Sequence, residues 1–427
     1  MTPFDPYQGN ILVEKLGQIK SRKEISTFLT YLPKLPPNNV ESIPRHIRLH
    51  MLQDVRDLHI PSLNEARLSE SMDLMLRQSY KYRDPKDNST WSNIYASAPE
   101  KKTITAPPMV MGVSGHAGVG KTQSIRHSLS GYRQIIIHEK FPRVVNELIQ
   151  VVWISIDVPS SGRSEHLAMN LMNAWDHALA SHLDSYAPRF TEDLRKSRLD
   201  GPRMLNDWRK VATSHFLGIL HLDEAQNLLP IKSLKERNAN KSGREQPLKL
   251  SIKEIECLKW ILSLSNTWNL SVMISCTPDG INAFNSRFSN LQRFISFGLH
   301  TLKRFESADD PQFKDVFFPC LFKYQFVKDK LVDINQVGKI VIQLSGGIQR
   351  IIIALWIAAH RVAFEREKND ALQIDDFIDA TKIYLAPLAT AIKAINSGEP
   401  SQMSAYEDMI GDEGFWDAFW NSVAFLD

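Results

Sequence analysis

Between Met109 and Leu129 the chain reads MVMGVSGHAGVGKTQSIRHSL: an apolar strand, a glycine turn, then a helix entered through Lys-Thr. The segment Gly115 to Thr122, GHAGVGKT, fits the pattern G-x-x-x-x-G-K-[ST] throughout, with the strand and helix it requires on either side. Glycines let backbone N–H groups turn inward around phosphate oxygens, and the helix N-terminus adds partial positive charge. Gly115, His116, Ala117, Gly118, Val119 and Gly120 therefore form a candidate phosphate cradle, with Gln123 just beyond it. Lys121 is placed to reach the β- and γ-phosphates of ATP, and the Thr122 hydroxyl to ligate Mg²⁺. Read alone, this stretch says only that a nucleotide binds.

The rest of the chain restricts the fold. VMGVSG, VVWISID, GILHLDEA, SVMISCT and FISFGL are short apolar runs alternating with helical patterns, the texture of parallel strands buried on both faces. The expectation is an α/β fold with a parallel five-stranded sheet flanked by helices. After about Lys314 the strands stop, and QVGKIVIQLSGGIQRIIIALWIAAHRVAFEREK reads as part of a helical lid. The first hundred residues carry proline-rich joints around a helical run, EARLSESMDLMLRQSYKYR, before a polar linker. Four regions follow: residues 1–104, mostly helical and partner-binding; 105–313, the α/β core; 314–396, the lid; and 397–427, an acidic, aromatic, partner-binding tail. The longest apolar run, Ile351 to Ala359, is far short of the roughly 20 residues of a membrane span, so no membrane contact is expected.

Binding alone does not hydrolyse, and GILHLDEAQ supplies a second half. Its buried strand delivers Asp223 to the Mg²⁺ shell and Glu224 beside it, where a carboxylate can orient and deprotonate the attacking water. The same pair can also cap a following helix. SVMISCTPDG ends in polar residues, so Thr277, or Ser275, can touch the γ-phosphate or the water; a strand end capped by Thr-Pro is the rival reading. NSRFSNLQRF places Arg287 and Arg293 before the fifth strand, where an exposed arginine can act in a neighbouring subunit's site; Arg293 is favoured. SGGIQR brings Arg350 to the lid, within possible reach of the γ-phosphate.

This order of cradle, Asp-Glu, polar strand end, edge arginine and Gly-Gly-x-x-Arg resembles that of AAA+ ATPases, whose P-loop core it matches over roughly residues 105 to 370. The flanks narrow the resemblance. DPYQGNILVEKL, SYKYRDP, ISIDVPSSGRSEHLAMNLMNAWDHAL and LATAIKAINSGEPSQMSAYEDMI look like the ATPase regulator of heteromeric bacterial transposons, the TnsC/TniB group. A polar insertion from Lys232 to Gln246 departs from that pattern. The resemblance implies an ATP-dependent matchmaker. Its subunits form a homo-oligomeric ring or filament on double-stranded DNA, receive a target-selection protein of the TniQ/TnsD kind and activate transposase subunits.

Charge adds local detail. The net charge is only +3, but Lys232 to Lys253 holds seven basic and two acidic residues, a local +5 that leaves the remainder at −2. Lys232, Lys235, Arg237, Lys241 and Arg244, with Arg163 in SSGRSE, are candidate backbone contacts to DNA, non-specific and salt-sensitive. A solvated loop is the alternative. At the other end, AYEDMIGDEGFWDAFWNSVAFLD has six acidic residues and no basic one, with Phe415, Trp416, Phe419 and Trp420 at helical spacing. That stripe suits a partner's groove or the chain's own surface equally. His46, His50 and Asp54 share helical spacing but read as structural, as do His215 and His221. Cys257, Cys276 and Cys320 offer neither a disulfide framework nor metal-ligand spacing. With an opening that lacks a basic-then-apolar segment, they suggest a reducing cytoplasm, which the resemblance to the TnsC/TniB group implies is a bacterial one. An initiator- or signalling-type ATPase switch that never encircles DNA is the rival function, and a helicase or clamp-loader relative a third.

Overall fold

The computed structural model describes residues 4–96, 107–184, 186–195, 200–228, 252–281, 295–366, 369–399 and 413–424. These fall into two packing units, each gathered from distant parts of the chain. One comprises Met1–Ile25, Asn64–Ser114 and Thr122–Thr301; the other Ser26–Leu63, Gly115–Lys121 and Leu302–Asp427.

The described strands all lie in the first unit: β1 (Val110–Ser114), β2 (Ile135–His138), β3 (Leu148–Val151), β4 (Trp153–Asp157), β5 (Ile219–Asp223), β6 (Ser271–Cys276) and β7 (Leu299–Thr301). Five of them form a parallel sheet in the order β4-β5-β6-β1-β7. β1, β5 and β6 are buried at every position, which is why their sequences are nearly continuous apolar runs rather than alternating ones. Burying each such side chain contributes about 1.5–3 kcal/mol. Against the sheet, the helices Ser164–Ala180 and Gly201–Ser214 pack through Trp175 and Trp208, edge to face with centroids 6.1 Å apart. Trp208 Nε1–H donates to the Leu171 carbonyl at 3.1 Å, so its polar atom is satisfied in the core.

Two strand expectations shift. The run VVWISID divides at Val152: Val151 closes an antiparallel hairpin of β2 with β3, and the sheet strand starts at Trp153. Apolar continuity hides this break, because Val151 and Val152 are both buried whichever ladder they serve. FISFGL does not form the fifth strand as a block. Phe297 N–H and the Gly298 carbonyl already bond to β1, but Gly298 has φ +105°, and the regular strand is Leu299–Thr301.

The second unit is helical, with Arg45–Gln53, Ile334–Ser345, Gln349–Glu365, Ile374–Ile383, Ala389–Asn396 and Glu413–Ala424. Gln349–Glu365 is its core helix and is buried continuously from Ile351 to Arg361, so the long apolar run is interior. Among the described residues no single helix is long and apolar enough to cross a membrane. Arg48 is buried beside this core, donating to the Phe326 carbonyl at 2.8 Å and to Asp370 at 2.9 Å.

His360, fully buried on the core helix, gives the unit a pH dependence. Its Nδ1 lies 2.8 Å from the Trp356 carbonyl and its Nε2 3.3 Å from the Phe326 N–H. Only the neutral imidazole with Nδ1 protonated satisfies both. Burial, aided by the Arg48 charge and opposed by the Trp356 carbonyl, lowers its pKa to about 4. The unfolded histidine titrates near 6.5, so between these values the unfolded chain binds more protons. The contribution is complete above pH 6.5 and lost as pH falls toward 4, roughly 3 kcal/mol in all. Thermal melts between pH 7 and 4.5 are expected to show this fall, and His360→Gln to flatten it. Equal slopes in the two proteins would exclude His360 as the source.

Candidate nucleotide-binding site

The cradle follows β1 directly. Gly118 and Gly120 take φ of +83° and +96°, the left-handed conformation that turns successive N–H groups toward one point. Gly118 is also constrained by packing: a Cβ there would stand 2.8 Å from Ile348 Cγ2. The helix Lys121–Ser130 then begins with Lys121 and Thr122, the candidate phosphate and metal ligands. Lys121 is buried and its Nζ donates to the carbonyls of Gly115 at 2.7 Å and His116 at 3.2 Å, so the ammonium is held within the loop.

Gly115–Lys121 belong to the second unit, and there the SGGIQR turn meets them. The Arg350 N–H donates to the Gly118 carbonyl at 3.1 Å. Gly346 and Gly347 both have positive φ, and a Cβ on Gly347 would overlap the Phe305 carbonyl oxygen at 1.8 Å, so this turn requires glycine. The Arg350 side chain is exposed, with its guanidinium 5.4 Å from the Trp416 ring centre. Trp416 and Phe419 are buried, and Arg56 stacks 4.2 Å over Trp420. The aromatic stripe of the tail is therefore packed on the chain's own helices.

In the first unit, Thr122, Asp223, Glu224 and Ser275 come together at the carboxyl ends of the strands. Thr122 Oγ1 donates to Asp223 Oδ2 at 2.5 Å; Ser275 Oγ and the Glu224 N–H donate to Oδ1 at 2.5 and 2.9 Å. Burial opposes ionisation of Asp223, but the interaction with His221 and the hydrogen bonds from Ser275, Thr122 and the Glu224 amide outweigh it and lower its pKa. A hydroxyl and an ionised carboxylate so close together form a hard-oxygen pair suited to Mg²⁺, which completes its shell with waters and phosphate oxygens.

Behind Asp223 runs a buried polar chain. His221 Nδ1 lies 2.8 Å from Ser155 Oγ and Nε2 2.8 Å from Ser275 Oγ. Ser275 gives its proton to Asp223, so it accepts from His221 Nε2–H, and Nδ1 accepts from Ser155. Burial holds His221 down at about 4 against the pull of Asp223, so the imidazole is neutral at pH 7. The chain spans β4, β5 and β6 and leaves none of its members unsatisfied. From the sequence, His221 reads as a packing residue and Ser155 carries no functional reading. The available signal was His221 and Ser275, polar residues inside strands buried at every position, whereas Ser155 sits at a half-buried position of β4 and gives none.

Glu224 is exposed and holds φ +52°, an uncommon conformation for a residue with a side chain. It turns the chain so that Asp223 stays in the sheet while Glu224 leaves it, and Gln226 Nε2 hydrogen-bonds its carboxylate. Thr277 is placed differently from Ser275. Its hydroxyl accepts the Gly280 N–H at 3.3 Å, as a cap of the following turn, and its own N–H faces Gln226 Oε1 at 3.4 Å. Gln123 lies on the cradle helix with its amide 2.9 Å from His127 Nε2. Arg163 is exposed at the N-cap of the helix Ser164–Ala180. Arg287, Arg293, Lys232, Lys235, Arg237, Lys241 and Arg244 lie outside the described residues. No group of three or more His, Cys, Asp or Glu among the described residues can hold a metal, so His46, His50 and Asp54 do not form a site.

Residues 107–283 match the family model described as an AAA domain. That span contains the cradle, Asp223, Glu224 and Ser275, and it is an AAA-type P-loop nucleotide-binding domain. No curated protein gives a significant match. Among solved structures, the Walker-type ATPase PABY2304 of Pyrococcus abyssi is 15% identical, with 74% of this chain and 83% of that one covered and a TM-score of 0.39. The RuvB Holliday junction branch migration motor of Thermotoga maritima is 13% identical, covering 65% and 62%, with a TM-score of 0.33.

Proposed function

We propose that this chain is a Mg-ATP-dependent AAA+ regulator of DNA transposition, which oligomerises on duplex DNA and links a target-selection protein to the transposase. The observation that carries the ATPase part is the Asp223 carboxylate, held between Thr122 and Ser275 with Glu224 exposed at the next position. Mg²⁺ supplies charge neutralisation at the phosphates when bound. Thr122 and Asp223 hold it, Lys121 binds the phosphates, and Glu224 takes the proton of the attacking water. Arg293 acts in trans and Arg350 from the lid. The transposition part rests on the flanking segments that resemble the TnsC/TniB group, and the DNA part on the basic segment from Lys232 to Arg244 together with Arg163.

Duplex DNA with a non-hydrolysable ATP analogue at low salt is expected to yield large assemblies by gel filtration and negative-stain microscopy. Monomers alone under those conditions would overturn the reading. Neutralising Lys235, Arg237, Lys241 and Arg244 should weaken DNA binding and flatten its salt dependence. An unchanged salt slope would favour a switch acting on protein partners.

A further inference from the structure

The amino ends of the strands carry a second cluster of charge, on the far side of the sheet from Asp223. Trp268 and Asn269 lie before β6, separated from it by Leu270, whereas Ser275 lies near its carboxyl end. Around Trp268 and Asn269 is a narrow cleft lined by Tyr82, Arg83, Thr90, Asn93, Trp268 and Asn269, with Thr213 and Phe216 completing the wall.

Arg83 is buried, and among the described residues its hydrogen-bond acceptors are the Ser79 carbonyl at 3.4 Å and the Ser79 hydroxyl at 2.5 Å. Its Nη1 has no hydrogen-bond partner among the described residues. Burial, partly offset by Tyr80, lowers its pKa to about 10, so the guanidinium remains charged at neutral pH. A second buried guanidinium stands beside the same wall: Arg209 lies 3.7 Å over the Trp268 ring, its Nε donates to Asn206 Oδ1 at 3.4 Å, and its Nη1 has no hydrogen-bond partner among the described residues. Among the described residues neither arginine forms an ion pair with a carboxylate. The Asp207 carboxylate partly offsets the Arg209 charge, but among the described residues no carboxylate acts on Arg83, and burying such a charge is costly. Hydroxyl and amide side chains on the other walls are the groups that complete oxyanion recognition, and the arginine fork suits it geometrically.

We propose that this cleft is an oxyanion site that takes a phosphate group, with Arg83 as its principal ligand and Arg209 contributing positive field from behind Trp268. The site is separate from the nucleotide cradle and does not depend on the function proposed above.

The test uses the full chain carrying Lys121→Ala, which silences the cradle as a competing phosphate site. Inorganic phosphate is titrated at constant ionic strength against chloride, followed by calorimetry, ³¹P line broadening and melting temperature. A saturable response is expected, lost in the Lys121→Ala, Arg83→Met double variant. Arg83→Lys, which keeps the charge but not the fork, should weaken it about tenfold. No response with Arg83 intact overturns the proposal whatever the variants do, and so does an equal response in the Arg83→Met protein. Acetate is the second probe: saturation by acetate at lower concentration than phosphate would overturn the phosphate assignment in favour of a carboxylate.

Discussion

Replacing Glu224 with Gln should lower the turnover of ATP by about 10²–10⁴-fold, the usual contribution of a positioned general base, while leaving ATP affinity within a few-fold of the parent. The separation of the two effects follows from the geometry. Glu224 accepts a hydrogen bond from Gln226 and leaves the sheet in a left-handed conformation, whereas Asp223, one residue earlier, carries the interactions with Thr122 and Ser275. The amide keeps the size and the Gln226 neighbour but cannot take a proton at neutral pH. If assembly on DNA requires bound ATP, the variant should accumulate assemblies that persist. Steady-state phosphate release with parallel nucleotide-binding titrations checks this, and parental turnover in the variant would remove Glu224 from the role of base.

Lys121→Ala should have the complementary signature, with binding itself failing. The ammonium is buried in the cradle and hydrogen-bonded to the carbonyls of Gly115 and His116, so it is already placed among the backbone groups that surround a phosphate. Charge-assisted hydrogen bonds of this kind contribute roughly 1.5–3 kcal/mol, which corresponds to a loss of about 10–100-fold in affinity. Turnover should fall further, because the same charge faces the phosphate oxygens as the bond breaks. Equilibrium titration with a fluorescent ATP analogue reads the binding change directly. Affinity within threefold of the parent would exclude Lys121 as a phosphate ligand.

Much of this site is local in sequence. Glycines at Gly115, Gly118 and Gly120 and the Lys-Thr that follows are legible as a cradle because the turn, the donors and the helix end are contiguous. Asp223 and Glu224 are legible because a buried strand that ends in two carboxylates has few other uses. The parallel sheet is legible for the same reason, since strands covered on both faces must be continuously apolar. The break at Val152 and the late start of β7 are not. Buried valines satisfy either ladder, and the turn at Gly298 depends on pairing with β1.

What the sequence determined by itself was therefore the chemistry that one segment can carry: a phosphate cradle, a carboxylate pair and the strands that hold them. The tertiary structure decided which hydroxyl meets Asp223. Ser275 and Thr277 are two residues apart, but only strand register puts Ser275 between His221 and Asp223 while Thr277 caps the next turn. It also decided where the aromatic tail goes. Trp416 and Phe419 gain the same burial against a partner or against their own helices, so only the assembled chain, with Arg350 and Arg56 stacked on that tail, distinguishes the two. Hydrogen bonds across strands and the choice of an apolar surface are set by which segments become neighbours, and linear order does not encode that directly.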